Sequence, residues 1–285
     1  MEIINRVNRM SSVARDLRAQ GKIIGLVPTM GALHEGHLSL MAKAREMSDV
    51  LIASVFVNPT QFGPKEDLSR YPRDLARDAE LAFTKGVDFI FAPTPEEMYP
   101  NGFATYVTVE RLSEKLEGAS RPGHFRGVAT VVNKLFNIVQ PHFAFFGRKD
   151  AQQVIVLKRM VRDLAMNVEI VVGVTVREED GLALSSRNVY LSSEERKAAT
   201  VLRRAMEKCR QMYNSGERDC GRLASAMKAI IEAEPLARLD YVAITDINHL
   251  EPLATIPHIS PTLVSGAIFI GSTRLIDNIV LNGEL

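Results

Sequence analysis

The chain has little that would tie it to an oxidising compartment, a membrane or a polyanion. Only two cysteines occur in 285 residues. Cys209 and Cys220 stand in a polar helical stretch without metal-ligating neighbours, which argues against a disulfide framework or a zinc cluster and leaves two incidental reduced thiols. Charge of either sign is balanced, with 35 Lys and Arg against 34 Asp and Glu for a net +1, so no general field for nucleic acid exists. No stretch reaches the ~18 apolar residues needed to cross a bilayer. The opening Met-Glu-Ile-Ile-Asn-Arg has no apolar signal core. The expectation is a cytoplasmic globular protein with no nucleic-acid and no membrane partner. Hydrophobic residues at 46% and charged ones at 24% suffice for one large core, or a large and a small one.

The apolar runs that do occur are short. Residues 23–27 are β-branched, closed by Pro28, and read as a strand covered on both faces, as in a parallel sheet. Further runs at 50–57, 87–91, 143–146 and 168–172 alternate with helical spacing at 38–47, 75–85, 128–139 and 151–164. This alternation predicts an α/β fold, a Rossmann-like doubly wound parallel sheet. Beyond residue 176 the pattern changes: helical stretches at 193–213 and 220–234 join antiparallel strands at 240–244, 263–270 and 275–281. The expected division is therefore a domain over 1–175 and a smaller α+β C-terminal domain over 176–285, placed to act as a lid.

In an open α/β sheet ligands bind outside the carboxyl ends of the strands. Those ends carry Pro28-Thr29-Met30, Asn58-Pro59-Thr60-Gln61-Phe62, Ala92-Pro93 and Gly147-Arg148-Lys149-Asp150. The first runs on into Gly31-Ala32-Leu33-His34-Glu35-Gly36-His37-Leu38, a near miss to the phosphate loop with His37 at the lysine position and Leu38 at the Ser/Thr position. Gly31 and Gly36 let main chain approach a ligand, and the unpaired N–H groups of the helix that follows attract anions. Helix capping and zinc ligation are the competing readings of the two histidines.

Groups able to hold a triphosphate are His34, His37, Lys149, Ser185, Ser186 and Arg187, since bonds from cations to phosphate are roughly twice as strong as neutral ones. Gln61 and Gln153 offer donors and acceptors without charge, suited to a small hydroxy acid, with Met30, Phe62 and Val131 as apolar walls. Residues 116–127, Leu-Glu-Gly-Ala-Ser-Arg-Pro-Gly-His-Phe-Arg-Gly, read as a loop whose cations can also meet phosphate. On residues alone the set suits nucleotidyl transfer, and a nucleotidyltransferase acting on a phosphorylated cofactor precursor and a catalytically silent nucleotide-binding regulator stay open.

Taken in order, His34-Glu-Gly-His37, Val57-Asn-Pro-Thr-Gln61-Phe62, Tyr71-Pro-Arg73, Glu117-Gly-Ala-Ser-Arg-Pro-Gly-His-Phe-Arg-Gly127, Gly147-Arg-Lys-Asp150 with Gln153, Leu184-Ser-Ser-Arg-Asn188 and Arg274-Leu-Ile-Asp-Asn278 resemble the pantothenate synthetase family of the His-x-Gly-His nucleotidyltransferase superfamily. The resemblance implies ATP-dependent condensation of pantoate with β-alanine through pantoyl adenylate, giving pantothenate, AMP and pyrophosphate. It implies an ATP site of Met30, Gly31, Ala32, Leu33, His34, Glu35, Gly36, His37, Gly147, Arg148, Lys149, Asp150, Val176, Leu184, Ser185, Ser186 and Arg187, within the domain at 1–175 and its lid. His37, His34 and Lys149 are the catalytic candidates, with His37 as proton donor. Gln61 and Gln153 would hold pantoate, and Gln61 also β-alanine. Magnesium would accompany ATP with Asp78 as an outer partner. A homodimer joined through the larger domain is expected.

Overall fold

The computed structural model describes residues 1–64 and 66–285, and the chain divides into two compact units. The first is Met1–Arg148 with Gln152–Val174; the second is Lys149–Ala151 with Thr175–Leu285.

The first unit is a six-stranded sheet with every adjacent pair parallel, in the order β1-β4-β3-β2-β5-β6. Its strands are β1 (Glu2–Ile4), β2 (Ile24–Thr29), β3 (Val50–Val55), β4 (Phe89–Phe91), β5 (Phe143–Gly147) and β6 (Glu169–Gly173). Helices α1 (Val7–Ala19), α2 (Glu35–Met47), α3 (Leu75–Thr84), α4 (Pro95–Met98), α5 (Glu117–Ser120), α6 (His124–Val139) and α7 (Ala151–Asp163) connect them. Val27, Leu51, Ala53, Ile90 and Phe145 are wholly buried beneath Leu33, Met41, Ala44 and Ala82, which explains the unbroken apolar runs: strands covered on both faces have no polar side to alternate with.

Two features of this sheet open a site. From β2 the chain winds through β3 to β4 in one direction, while β5 and β6 lie on the other side, so the order reverses between β2 and β5. The β2–β5 ladder ends at Leu26 and Ala144, whereas β2 stays paired with β3 to Thr29 and β5 with β6 to Gly147. The carboxyl ends of the two central strands therefore part where the histidine loop leaves the sheet.

Several sequence expectations need correction. The strand β1 and helix α1 were not anticipated; β1 has only three residues and takes its register from distant β4, with Glu2 opposite Phe89, so nothing local announces it. The segment 116–127 is not simply a loop, because α5 lies within it and α6 begins at His124. Gly127 serves close approach rather than a turn: a Cβ there would lie 2.3 Å from the Thr60 carbonyl oxygen.

In the second unit a three-stranded antiparallel sheet, β7 (Ala237–Asp246), β8 (Thr262–Ile270) and β9 (Thr273–Leu281), packs on α9 (Val201–Asn214) and α10 (Cys220–Glu232). The single helix expected over 193–213 is two, since α8 (Ser193–Ala198) ends before α9 begins. Cys209 and Cys220 belong to the buried core of this unit rather than to a polar surface, and burial pushes the Cys209 thiol up to about 11. Among the described residues, no helix is long and apolar enough to cross a membrane.

Candidate active site

His34 caps α2, and the two histidines do so reciprocally. Nδ1 of His34 accepts the Gly36 N–H at 3.2 Å, while Nδ1 of His37 accepts the His34 N–H at 3.4 Å. This is a capping box in which imidazoles replace the usual hydroxyl and carboxylate. A neutral imidazole accepts at one nitrogen and donates at the other, so the cap assigns the hydrogen of both rings to Nε2. The rings lie 4.1 Å apart between centroids. Capping therefore does not exclude ligand binding, because the cap engages each ring through Nδ1.

The loop before the cap is bent sharply, with Gly31 at φ +81° and Ala32 at φ +51°. A left-handed alanine costs roughly 1–2 kcal/mol. The Asp78 carboxylate offsets that cost, since Oδ2 accepts the Ala32 N–H at 2.9 Å and Oδ1 the Leu33 N–H at 2.7 Å. Hydrogen bonds to a charged group are worth about 1.5–3 kcal/mol each, so the clamp outweighs the strain. Thr29 adds a third tie, accepting the Gly31 N–H and donating to the Ser54 carbonyl. Asp78 is 1% exposed and both its oxygens are engaged by the loop. Among the described residues, no group of three or more His, Cys, Asp and Glu could hold a metal ion. The clamp was invisible in sequence because Asp78 lies 46 positions from Ala32.

Gln61 lies in a 3-10 turn, Pro59–Gln61, just after β3. Its Oε1 accepts from Asn58 Nδ2 at 2.9 Å, and its Nε2 reaches Met30 Sδ at 3.1 Å, which joins the glutamine to the start of the histidine loop. Asn58, 1% exposed, ties the turn together: Nδ2 also donates to the Gly127 carbonyl, and Oδ1 accepts from Thr60 and from the Tyr99 hydroxyl at 2.7 Å. Burial pushes the Tyr99 hydroxyl above its ordinary value, which keeps it a donor. His124 completes the support, with Nδ1 2.9 Å from the Gln61 main-chain oxygen and Nε2 3.0 Å from Arg121 Nη1. Arg121 in turn holds Glu66 through two bonds, at 2.8 and 2.6 Å. Burial first, then the Arg121 charge, lowers His124 to about 4, so the ring is neutral, donating at Nδ1 and accepting at Nε2.

These contacts revise the expectation that the cations of 116–127 meet phosphate. Arg121 is committed to Glu66 and His124, and Arg126 stacks 3.8 Å over the Tyr106 ring. The adjacent glutamines at 152 and 153 divide their labour: Gln152 is buried, accepting from the Glu117 N–H and donating to the carbonyls of Leu112 and Lys115, whereas Gln153 is half-buried on α7. Of the expected apolar walls, Val131 is buried, and Met30 and Phe62 are half-buried. A cavity of about 380 Å³ opens at the carboxyl ends of β2, β3 and β4, lined by Met30, Gly31, Val57, Pro59 and Ala92, among others. Asn58 and His124 stand inside motifs picked out by the sequence, yet their supporting roles emerge only here; an Asn-Pro pair directly after a strand was the available signal.

In the second unit, Val176 and Leu184 face each other in a hairpin, the Leu184 N–H donating to the Val176 carbonyl at 3.0 Å. Ser185 caps the 3-10 turn Ser186–Tyr190, accepting the Arg187 N–H. Asn188 holds the turn to the hairpin, its Nδ2 donating to Glu178 and to the Ala183 carbonyl. Arg196 clamps Glu178 and Asp180 from α8, which lowers the Asp180 carboxyl. Lys149 Nζ lies 3.6 Å from Asp150 Oδ1 in this unit, and in the first Gly147 ends β5 and Arg148 opens the 3-10 turn that follows it.

A family model described as pantoate-β-alanine ligase matches residues 2–280. The chain belongs to the pantoate-β-alanine ligase family. Among similar relatives are a pantothenate synthetase of Pelotomaculum thermopropionicum, 57% identical over 100% of both chains, and one of Moorella thermoacetica, 57% identical over 99% of each. Of solved structures, a pantothenate synthetase from Thermus thermophilus shares 49% identity and a TM-score of 0.91, covering 98% of this chain and 99% of that one. A pantoate-β-alanine ligase from Francisella tularensis, complexed with β,γ-ATP and β-alanine, shares 35% identity and a TM-score of 0.78, covering 98% and 97%. Full-length similarity to ligases of this family decides against the silent regulator and the cofactor-precursor nucleotidyltransferase.

Proposed function

We propose that the chain condenses pantoate with β-alanine using ATP, and the observation that carries this reading is a match to the pantoate-β-alanine ligase family over nearly its whole length. In the first step a pantoate carboxylate oxygen attacks the α-phosphorus of ATP; a P–O bond forms, the bond to pyrophosphate breaks, and pantoyl adenylate results. The β-alanine amine then attacks the acyl carbon, the C–O bond to AMP breaks, and the nitrogen sheds a proton as the amide forms. No protein nucleophile is needed, so the chain's contribution is to position reactants and stabilise charge.

In this reading the Nε2–H donors of His34 and His37 serve the phosphates, with His37 also the proton donor. The main chain of 30–37, Gly147, Arg148, Lys149, Asp150, Val176, Leu184, Ser185, Ser186 and Arg187 serves ATP. Lys149 and Arg187 bring full positive charge, which suits a transition state spreading negative charge over phosphate oxygens. Gln61, tied to Met30, orients pantoate with Gln153 and also touches β-alanine. Magnesium enters as part of the nucleotide substrate, neutralising phosphate oxygens. A homodimer formed through the first unit belongs to the same reading, and sedimentation at twice the chain mass tests it.

The deciding experiment is incubation with ATP, magnesium, pantoate and β-alanine, followed by mass spectrometry. AMP and pantothenate should appear in equal amounts, and omission of β-alanine should leave pantoyl adenylate with one pyrophosphate per active site. AMP formed without dependence on pantoate would defeat the reading.

A further inference from the structure

The motif Arg274-Leu-Ile-Asp277-Asn278 lies on β9, the edge strand of the second unit, outside the groups assigned to nucleotide, acid and amine. Successive strand residues point to opposite faces, so Asp277 and Asn278 reach in opposite directions from one rigid backbone. Both are 5% exposed. Asp277 Oδ1 and Oδ2 accept from Arg177 Nη2 and Nη1 at 2.9 and 2.7 Å, and Arg177 Nη1 also donates to the Gly181 carbonyl at the hairpin turn. Arg177 pairs with Ala183 across that hairpin, one residue from the Val176–Leu184 bond. Asn278 Nδ2 donates to the Lys149 main-chain oxygen at 2.8 Å, and its own N–H donates to Asp277 Oδ1.

We propose that Asp277 and Asn278 are positioning residues for ATP: through Arg177 and the Lys149 carbonyl, β9 fixes the spacing between the hairpin that presents Val176 and Leu184 and the turn that presents Lys149. The inference rests on the reading of those segments as nucleotide-binding. Neither side chain touches a reacting atom. A strand is a better gauge than either loop, because its backbone is held by the ladder to β8, Asp277 opposite Gly266 and Asn278 opposite Ser265. A bidentate arginine–carboxylate pair adds fixed direction to fixed distance.

The test compares Asp277→Asn, Asn278→Ala and Asn278→Gln with wild type in pantoyl adenylate formation, with KM for ATP and for pantoate and the melting temperature measured in parallel. Asp240→Asn is the control, since Asp240 on β7 pairs with Arg274 at the start of β9, away from the two contacts that reach the loops. Asp277→Asn and Asn278→Ala should each raise KM for ATP or slow adenylation about 10-fold while KM for pantoate stays within about twofold. Asn278→Gln, which keeps the donor one methylene further out, should recover part of the loss, and Asp240→Asn should lower the melting temperature without changing KM for ATP. Unchanged ATP kinetics in folded Asp277→Asn and Asn278→Ala would overturn the proposal, as would a parallel rise in both KM values or an equal effect in the control. If Asn278→Ala does not fold, Asn278→Gln and Asp277→Glu decide by the same criteria. Wild-type protein that makes no adenylate defeats the underlying ligase reading instead.

Discussion

His124 donates through Nδ1 to the main-chain oxygen of Gln61, and that bond makes a buried, neutral imidazole part of the support for the glutamine turn. The folded-state value of about 4 lies below the ordinary 6.5. The unfolded chain therefore binds a proton at this residue between those two pH values when the folded one does not. Stability from His124 is full above pH 6.5 and is lost as pH falls toward 4, by about 3 kcal/mol in all. Urea unfolding followed from about pH 7.5 down to about 4 should show this slope in wild type. His124→Asn, which keeps a donor toward Gln61 but does not titrate, should flatten it, and parallel curves would remove His124 as its source.

Asp78→Asn replaces an acceptor with an amide that cannot satisfy both main-chain donors of Ala32 and Leu33. Leaving one buried donor unpaired costs about 1–3 kcal/mol, so calorimetry should register a lower melting temperature, and amide exchange at Ala32 and Leu33 should quicken. A variant with wild-type stability but a raised magnesium requirement would instead favour Asp78 as the outer magnesium partner that the family resemblance implies.

His37→Ala and Lys149→Ala should each slow adenylate formation at least about 100-fold, the loss usual for one electrostatic contact. The two should differ in stability. His37→Ala also removes the acceptor of the His34 N–H and should cost α2 about 1 kcal/mol, whereas Lys149→Ala should leave thermal unfolding near wild type. Single-turnover assays beside thermal melts separate the effects, and near-normal turnover in either variant would dismiss its assigned role.

Gln61→Ala should raise KM for pantoate by more than it weakens ATP binding, because in the proposed function its side chain orients pantoate, while its contact with the ATP loop is limited to Met30 Sδ. Isothermal titration with ATP, alongside pantoate kinetics, gives the comparison, and the reverse order would take Gln61 out of the acid site.

Gly127→Ala gains about 1 kcal/mol of helix propensity, yet its Cβ would meet the Thr60 carbonyl at 2.3 Å, well inside contact. The clash should win, pushing α6 from the glutamine turn and destabilising the protein. A variant as stable as wild type would show that the turn can yield.

The alternating strands and helices of the first unit were legible because each strand is short, apolar and buried on both faces, and the histidine pair because it follows one such strand directly. The supports were not. Asp78 reaches the loop at Ala32 from 46 positions away, and Asn58 reaches Gly127 from 69. Such partners are chosen by packing, not by neighbours in the chain. The same limit explains α6: Gly123 and Gly127 both looked like turn markers, but only Gly123 stands at a bend, with φ +84°. Arg121 and Arg126 looked available for phosphate because a sequence names cations without naming Glu66 or the Tyr106 ring.

Because each imidazole is tied through Nδ1 to the first turn it starts, fraying of α2 and misalignment of both rings are a single event. Exchange protection of the Gly36 amide is then a reporter of the alignment of both rings.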